Sequence, residues 1–358
     1  MIWKDVSAST LEGYIKVLNK ELRYAFSNIR PITVIGGTVD YGLQTGMFDN
    51  SPIIQGIINN MVPGQRVVID GGTYNCNSML DFTNMPADSS FECYAVLQFP
   101  AGGNGIYVEG KDKRIFIKTL KGYSYTVTPN YSTYTGAAVK LDNAYQNTIE
   151  IDNIFGFKDA FWLHGGDSGG VCYNEIKWKT SRQCETAIRF TSSDTVASYV
   201  NSNFFYGGSI YGDKGLVTVK GAAQTDPYND NSFYHVGFER INSVVCQLRF
   251  AKGNSFYSPR FEDGPGALPA NGWIDEDTTC NYNQFHVAFP VYKNKTLNIQ
   301  NGKGSEVHGT IYSDNGMKVA YAKLNDNNGV GIYYSERYSS ELFSNTYYTS
   351  GGAWNYKS

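Results

Sequence analysis

The chain has 358 residues, enough for two or three ordinary domains or one long repetitive body. Hydrophobic residues make up 41%, with 28 Tyr, 20 Phe and 5 Trp among them, so there is ample material for a core. Charged residues reach only 18%, and 30 basic against 33 acidic groups leave a net charge of -3, which excludes electrostatic binding to nucleic acid or to anionic membranes.

The chain opens Met1-Ile2-Trp3-Lys4-Asp5, without an apolar run behind a basic head, and nowhere holds a stretch of about 18 apolar residues. Neither a secretion signal nor membrane insertion is expected. Residues 9–28 read as a helix, because Ser9 and Glu12 have capping-box spacing and Leu11, Ile15, Leu18, Leu22, Ala25 and Ile29 alternate by four and three. The stripe suits self-association in a short coiled coil; a helix that plugs the end of the next domain has the same pattern. Arg30-Pro31 ends it in either case. Residues 1–30 are therefore set apart as an N-terminal helical segment.

From Pro31 the texture changes to short β-branched and aromatic runs cut by Gly, Asn and Asp. Within it Asn147, Asn174, Asn203, Asn231, Asn254 and Asn283 recur at intervals of 27, 29, 28, 23 and 29. Two places after each stands an apolar residue: Ile149, Ile176, Phe205, Phe233, Phe256, Phe285. Fourteen places on stand Phe161, Ile188, Val217, Val245, Leu268 and Leu297, which at 41% hydrophobic content is roughly a one-in-two-hundred outcome. Near Gln247 the alternation slips by one residue to Cys246, Leu248 and Phe250. A period of this length with several short strands fits an all-β fold, a single-stranded parallel β-helix whose coils stack at about 4.8 Å. The asparagines are then expected to form a buried amide ladder at one corner. The β-helix is placed at 31–322, and residues 323–358, rich in Tyr, Asn, Ser and Gly, as a cap or tail.

The opening of this body carries a more specific pattern. Val39-Asp40-Tyr41-Gly42 is followed by D-N-S-P-I-I-Q at residues 49–55, by Arg66-Val67-Val68-Ile69, and by Gly72-Thr73-Tyr74. The segment resembles the first coil of pectate-lyase-like right-handed β-helices, with their D-x-G turn, capping helix and strand ending in G-x-Y. That group includes lyases, glycoside hydrolases and the trimeric tailspikes and fibres of bacteriophages. A heptad helix directly before the β-helix resembles the stem of a phage spike. The resemblance implies a homotrimeric virion fibre or spike, made in the host cytoplasm and displayed on the virion surface. It would be joined to other virion proteins through the N-terminal helix and would adsorb to host surface polysaccharide. A glycan depolymerase, hydrolase or lyase, is the competing reading, and a purely structural virion decoration a third.

For a depolymerase, two carboxyl groups must face each other across the sugar. Glu239 and Glu262 lie eight residues after Asn231 and Asn254, so one coil apart on one face, with Asp263 beside them. Trp273 and Tyr257 are candidate stacking platforms, and Asp275 and Asp277 candidate ligand contacts; a solvated acidic edge explains the same residues. Calcium at residues 275–277 would need at least six oxygen ligands, of which the local sequence supplies only part, so neither metal nor cofactor is expected. The six cysteines are far apart with no CxxC pair and read as buried thiols, a Cys172–Cys184 disulfide being the alternative outside a cell. Gly166-Asp167-Ser168-Gly169-Gly170 copies a serine-protease pentapeptide, but the one earlier histidine, His164, belongs to no matching motif, and a turn between coils needs the same glycines. The G-x-x-x-x-G-K at residues 105–111 has Asp112 where a phosphate loop needs Ser or Thr.

Overall fold

The structure, a computed structural model, describes residues 32–35, 43–122, 129–167, 169–223, 225–262, 274–290, 298–299, 305–313, 316–323 and 331–334. The helix expected over residues 9–28, Asp263, Trp273 and most of the tail lie outside them. The described chain is mostly β, a parallel β-solenoid with one α-helix at Ser51–Asn59.

One row of strands runs the length of the body. Ile32–Ile35 pairs in parallel with Arg66–Ile69, and the series continues through Ser90–Phe99, Arg114–Gly122, Thr148–Phe155, Glu175–Ser192, Phe204–Tyr206, Ser232–Tyr234, Ser255–Tyr257 and Gln284–Pro290 to Glu306–Ser313. A second row runs from Thr73–Asn75 to Arg260–Glu262, and a third from Leu80–Asp81 to Asn298–Ile299. Side chains alternate inward and outward along each strand, as in Ser90–Phe99, where every second residue is buried. After Ser313 the next strand, Gly316–Lys323, pairs antiparallel, and Gly331–Tyr334 pairs antiparallel to it. Only two residues separate Ser313 from Gly316, whereas a parallel crossover needs a dozen or more, so parallel stacking stops at this point rather than at 322.

The asparagine ladder forms as expected. Each buried Asn from 147 to 254 donates both its backbone N–H and its Nδ2–H to the Oδ1 of the next, at 2.9 to 3.1 Å, through Asn283. The second Nδ2 proton goes to a backbone carbonyl of the preceding coil, such as Ala144 for Asn174 and Val171 for Asn203. The residue before each ladder position is left-handed: Gln146, Tyr173, Ser202, Asp230, Gly253 and Tyr282 all have φ between +52° and +67°. That bend turns the amide inward.

The bonds from rung to rung all run in one sense, each backbone N–H and one Nδ2 proton donating to the Oδ1 on the C-terminal side, while the other Nδ2 proton points back to the preceding coil. The rung before Asn147 is Lys113, whose N–H donates to Asn147 Oδ1 at 3.0 Å. Its buried ammonium donates to the carbonyls of Phe82 (2.6 Å), Thr83 (3.0 Å) and Glu109. At the other end Asn283 Nδ2 donates to Oε1 of the fully buried Glu276 at 2.9 Å. A cation thus closes the acceptor end and a carboxyl the donor end, the same pairing that stabilises helix termini.

Beside the ladder the residues two places on stack in register, Ile149 on Ile176 and then Phe205, Phe233, Phe256 and Phe285. The ring centres of the four phenylalanines are 4.6, 4.4 and 4.7 Å apart with planes within 14°. The fourteen-residue rule holds for Phe161 and Ile188, which pair with each other. It fails at the next coil, where Ile188 pairs with Leu216 and Val217 turns outward, because the register shifts between Arg182 and Cys184. From Leu216 the inward column passes to Cys246, and Leu248 keeps to it, as the slipped alternation near Gln247 predicts, whereas Phe250, its third residue, turns out of the column at the left-handed corner after the strand and is only half-buried. The uneven period has a simple cause: at one corner the connections between strands are five, seven and eight residues long, from Gly165 to Val171, Ser192 to Val200 and Val219 to Tyr228, whereas the 23-residue coil has only Arg249 and Phe250 there. All six cysteines are buried thiols, with burial pushing Cys93 and Cys280 up to about 12 and Cys184 to about 11.

The helix Ser51–Asn59 lays Ile54 and Ile58 on the core at the first coil. Asp49 Oδ1 accepts from the N–H of Ser51 and of Asn77, and Ser51 Oγ accepts from Ser78 N–H. Gln55 imitates a strand: its Oε1 accepts from Asp81 N–H and its Nε2 donates to Asp81 C=O, both at 2.7 Å. The open edge of Leu80–Asp81 is satisfied in this way. Gln55→Ala should therefore lower stability by about 1–2 kcal/mol and speed hydrogen exchange at the Asp81 amide; unchanged exchange there would refute the role.

Candidate functional site

Glu239 and Glu262 occupy the same register position on neighbouring coils, as the repeat frame requires. Their surroundings differ sharply. The Glu239 side chain is 6% exposed and that of Glu262 47%. Arg260 lies between them, its Nη2 against Glu239 Oε1 and its Nε 3.0 Å from Glu262 Oε1. Glu239 also accepts from Ser209 Oγ at 2.6 Å and from Tyr211 OH. A guanidinium therefore fills the space between the two carboxylates, where a glycosidic bond would have to lie for acid–base cleavage. Glu239 uses both oxygens within the fold. The arrangement is an ion-pair bridge across coils.

Asp275, Glu276 and Asp277 alternate outward, inward and outward on their strand and the turn after it. Arg249 again links the two outward groups, Nη2 at 2.7 Å from Asp275 Oδ2 and Nε at 3.4 Å from Asp277 Oδ2. Gln247 Nε2 adds a contact to Asp275 at 3.1 Å, and Asp277 Oδ1 accepts from Thr279 N–H at 2.9 Å. Glu276 faces the core, where burial pushes its carboxyl up to about 7. With Arg249 lodged between the two aspartates the segment is no cation cage, and among the described residues no cluster of three or more His, Cys, Asp or Glu is placed to hold a metal ion.

Tyr257 belongs to an outward column one place beyond the buried phenylalanines. Tyr206, Tyr234, Tyr257 and His286 stack on the outer face with ring centres 5.1, 5.0 and 5.2 Å apart. Each ring covers the face of the next, so the column offers edges and hydroxyls rather than a flat platform. Around the corner a cleft of about 460 Å³ is lined by Asp226, Phe250, Lys252, Thr278, Asn281 and Tyr282, next to the Asp277 turn. Tyr282 is 53% exposed and held in the left-handed conformation by its place before Asn283. The sequence carries the needed signal, a large aromatic immediately before a ladder asparagine, at Tyr173 and Tyr282 alone; only the fold puts Tyr282 beside Phe250.

No family model and no curated protein matches this sequence. Among solved structures the chain is similar to ORF18 of Geobacillus virus E2, at 11% identity and a TM-score of 0.48, over 93% of this chain and 77% of that one.

Proposed function

We propose that the chain is the body of a bacteriophage virion fibre or spike, a tail or capsid appendage that binds host-surface polysaccharide without cleaving it. It assembles as a homotrimer and is fixed to other virion proteins by its N-terminal helix. The observation that supports binding over cleavage is the state of the outward carboxylates: Glu239 and Glu262 are bridged by Arg260, Asp275 and Asp277 by Arg249. The opening coil at residues 49–74, which resembles that of pectate-lyase-like β-helices, supports the appendage reading. So does a body whose hydrogen bonds run along one axis, which suits a stiff projecting part.

Light scattering at micromolar concentration should give three times the 39.8 kDa chain mass, and a monomer would refute the assembly. Incubation with capsular or cell-wall polysaccharide should yield neither new reducing ends nor unsaturated, ultraviolet-absorbing products. Product that disappears in the Glu239→Gln, Glu262→Gln double variant would replace this reading with a depolymerase. Silence on a glycan array, for a protein located on a virion, would leave a purely structural decoration.

A further inference from the structure

The outward face of the third strand row carries, over four coils, side chains that neither the core nor the bridges of Arg260 and Arg249 use. Tyr107, Lys140 and Trp162 stand in register in one column. Asp142, His164 and Thr191 stand in the next. Lys140 Nζ sits 4.6 Å from the centre of the Trp162 ring and 5.5 Å from that of Tyr107, and 3.5 Å from Asp142 Oδ2. Trp162 Nε1 donates to Thr191 Oγ1 at 2.7 Å, and His164 Nδ1 is 2.8 Å from the same oxygen. An indole N–H can only donate, so Thr191 accepts there and has its own proton to offer to His164 Nδ1. Burial holds His164 below the usual histidine range, against the pull of Asp142, Asp167 and Asp194 and with that of Lys140. With Thr191 donating to Nδ1, a neutral imidazole carries its proton on Nε2.

Gly166 and Gly169 lie against this face at one end. A Cβ on Gly166 would meet the Asp142 carboxyl and one on Gly169 would meet Tyr145 and Asn143, and Gly169 has φ +151°, a conformation that strains any residue with a Cβ. Here an indole, a phenol, an imidazole, a hydroxyl and carboxylates converge, positioned by one another.

Half-buried aromatic rings flanked by carboxylate acceptors are the chemistry that recognises a polyhydroxylated ring, apolar on its C–H face and rich in hydroxyl donors at its rim. Charge narrows the class. Two cations stand on this face, Lys140, whose ammonium is held by two rings and a carboxylate, and Arg189, in register with Trp162 and paired with Asp159 at 3.2 Å. Glu109, tied to Tyr107 and Asn143, together with Asp142, Asp167 and Asp194 outnumbers them. A uronate, sialate or phosphate would approach an excess of negative charge. We propose that this face is a binding site for a neutral saccharide, an inference that rests on the glycan-adsorption reading above and narrows it to uncharged sugars at a named place.

The test is calorimetric titration of the full chain with chitotetraose, cellotetraose and maltotetraose as neutral probes and tetragalacturonate as the anionic one. At least one neutral probe should bind, about tenfold more weakly to Trp162→Ala and to Asp142→Asn and with unchanged affinity to Tyr282→Ala. His164→Gln, a milder change on the same face, should weaken binding as well, which separates loss of the site from loss of fold. Preferred binding of tetragalacturonate would overturn the proposal. Sensitivity to Tyr282→Ala alone would also overturn it, moving the sugar to the cleft while keeping glycan adsorption. If no neutral probe binds yet the protein still adsorbs to host cells, this site falls and the broader reading stands; if adsorption fails too, both fall.

Discussion

Asn203→Ala should lower the unfolding free energy by about 3–4 kcal/mol, read as a fall in the urea midpoint at unchanged slope. Asn203 sits in the middle of the ladder with no exposed surface. Its Oδ1 accepts from the N–H and Nδ2 of Asn174, and its Nδ2 donates to Val171 C=O and Asn231 Oδ1. Truncation strands donors on Asn174 and the Val171 carbonyl where water does not reach, while Asn231 Oδ1 keeps only the backbone N–H of residue 203; each stranded group costs about 1–3 kcal/mol before the chain relaxes. Asn203→Asp should be worse than alanine, because it keeps the acceptor but turns an oxygen toward two others in the core. If either variant melts within about 0.5 kcal/mol of the parent, the ladder is not what ties the coils together.

The second large effect is on pH. Burial raises Glu276 from the ordinary 4.5 to about 7, so the folded state holds its proton more tightly than the unfolded state does. That contribution is fully present below about pH 4.5 and is lost as pH rises through 7, a decline of about 3 kcal/mol. Lys113 moves the opposite way, from 10.5 down to about 8 by burial. Its unfolded form binds the proton more tightly between those values, so stability recovers by about 3 kcal/mol as pH climbs from 8 to 10.5. Together the two ladder ends should place a stability minimum between about pH 7 and 8. Urea midpoints at pH 5, 7.5 and 10 test this. Glu276→Gln, which keeps an oxygen for Asn283, should remove the fall on the acid side, and Lys113→Met the rise on the alkaline side whatever its effect on absolute stability. Slopes unchanged by these variants would refute the assignment.

The ladder and the phenylalanine stack are legible in the sequence because each coil repeats one residue type at a fixed offset, and stacking identical side chains is what makes the offset visible. Val217 departs from the fourteen-residue rule because a bulge between Arg182 and Cys184 costs one residue of register without leaving a breaker in the chain. The alignment of Glu239 with Glu262 follows from the frame. The role of Arg260 does not, since it depends on which way three side chains lean across a strand gap. The Trp162 face is invisible in the sequence for a related reason: its columns gather Tyr107, Lys140, Trp162 and Thr191 from coils of unequal length, so no single period joins them. His164 looks ordinary by spacing and acquires its partners only through Trp162 and Thr191.

The one-way sense of the ladder has an evolutionary consequence. Asn174, Asn203 and Asn231 make equivalent bonds to the rung on either side, so a whole coil can be removed without changing the kind of bond at the join. Excising residues 204–231 would leave Asn203 followed by Ser232 in place of Phe204, with Asn254 in place of Asn231 as the next amide. Unequal crossover between such coils can shorten or extend the shaft by whole rungs of about 4.8 Å while the charged stops at Lys113 and Glu276 stay in place. Reach, for this architecture, is a quantity that selection can adjust in discrete steps.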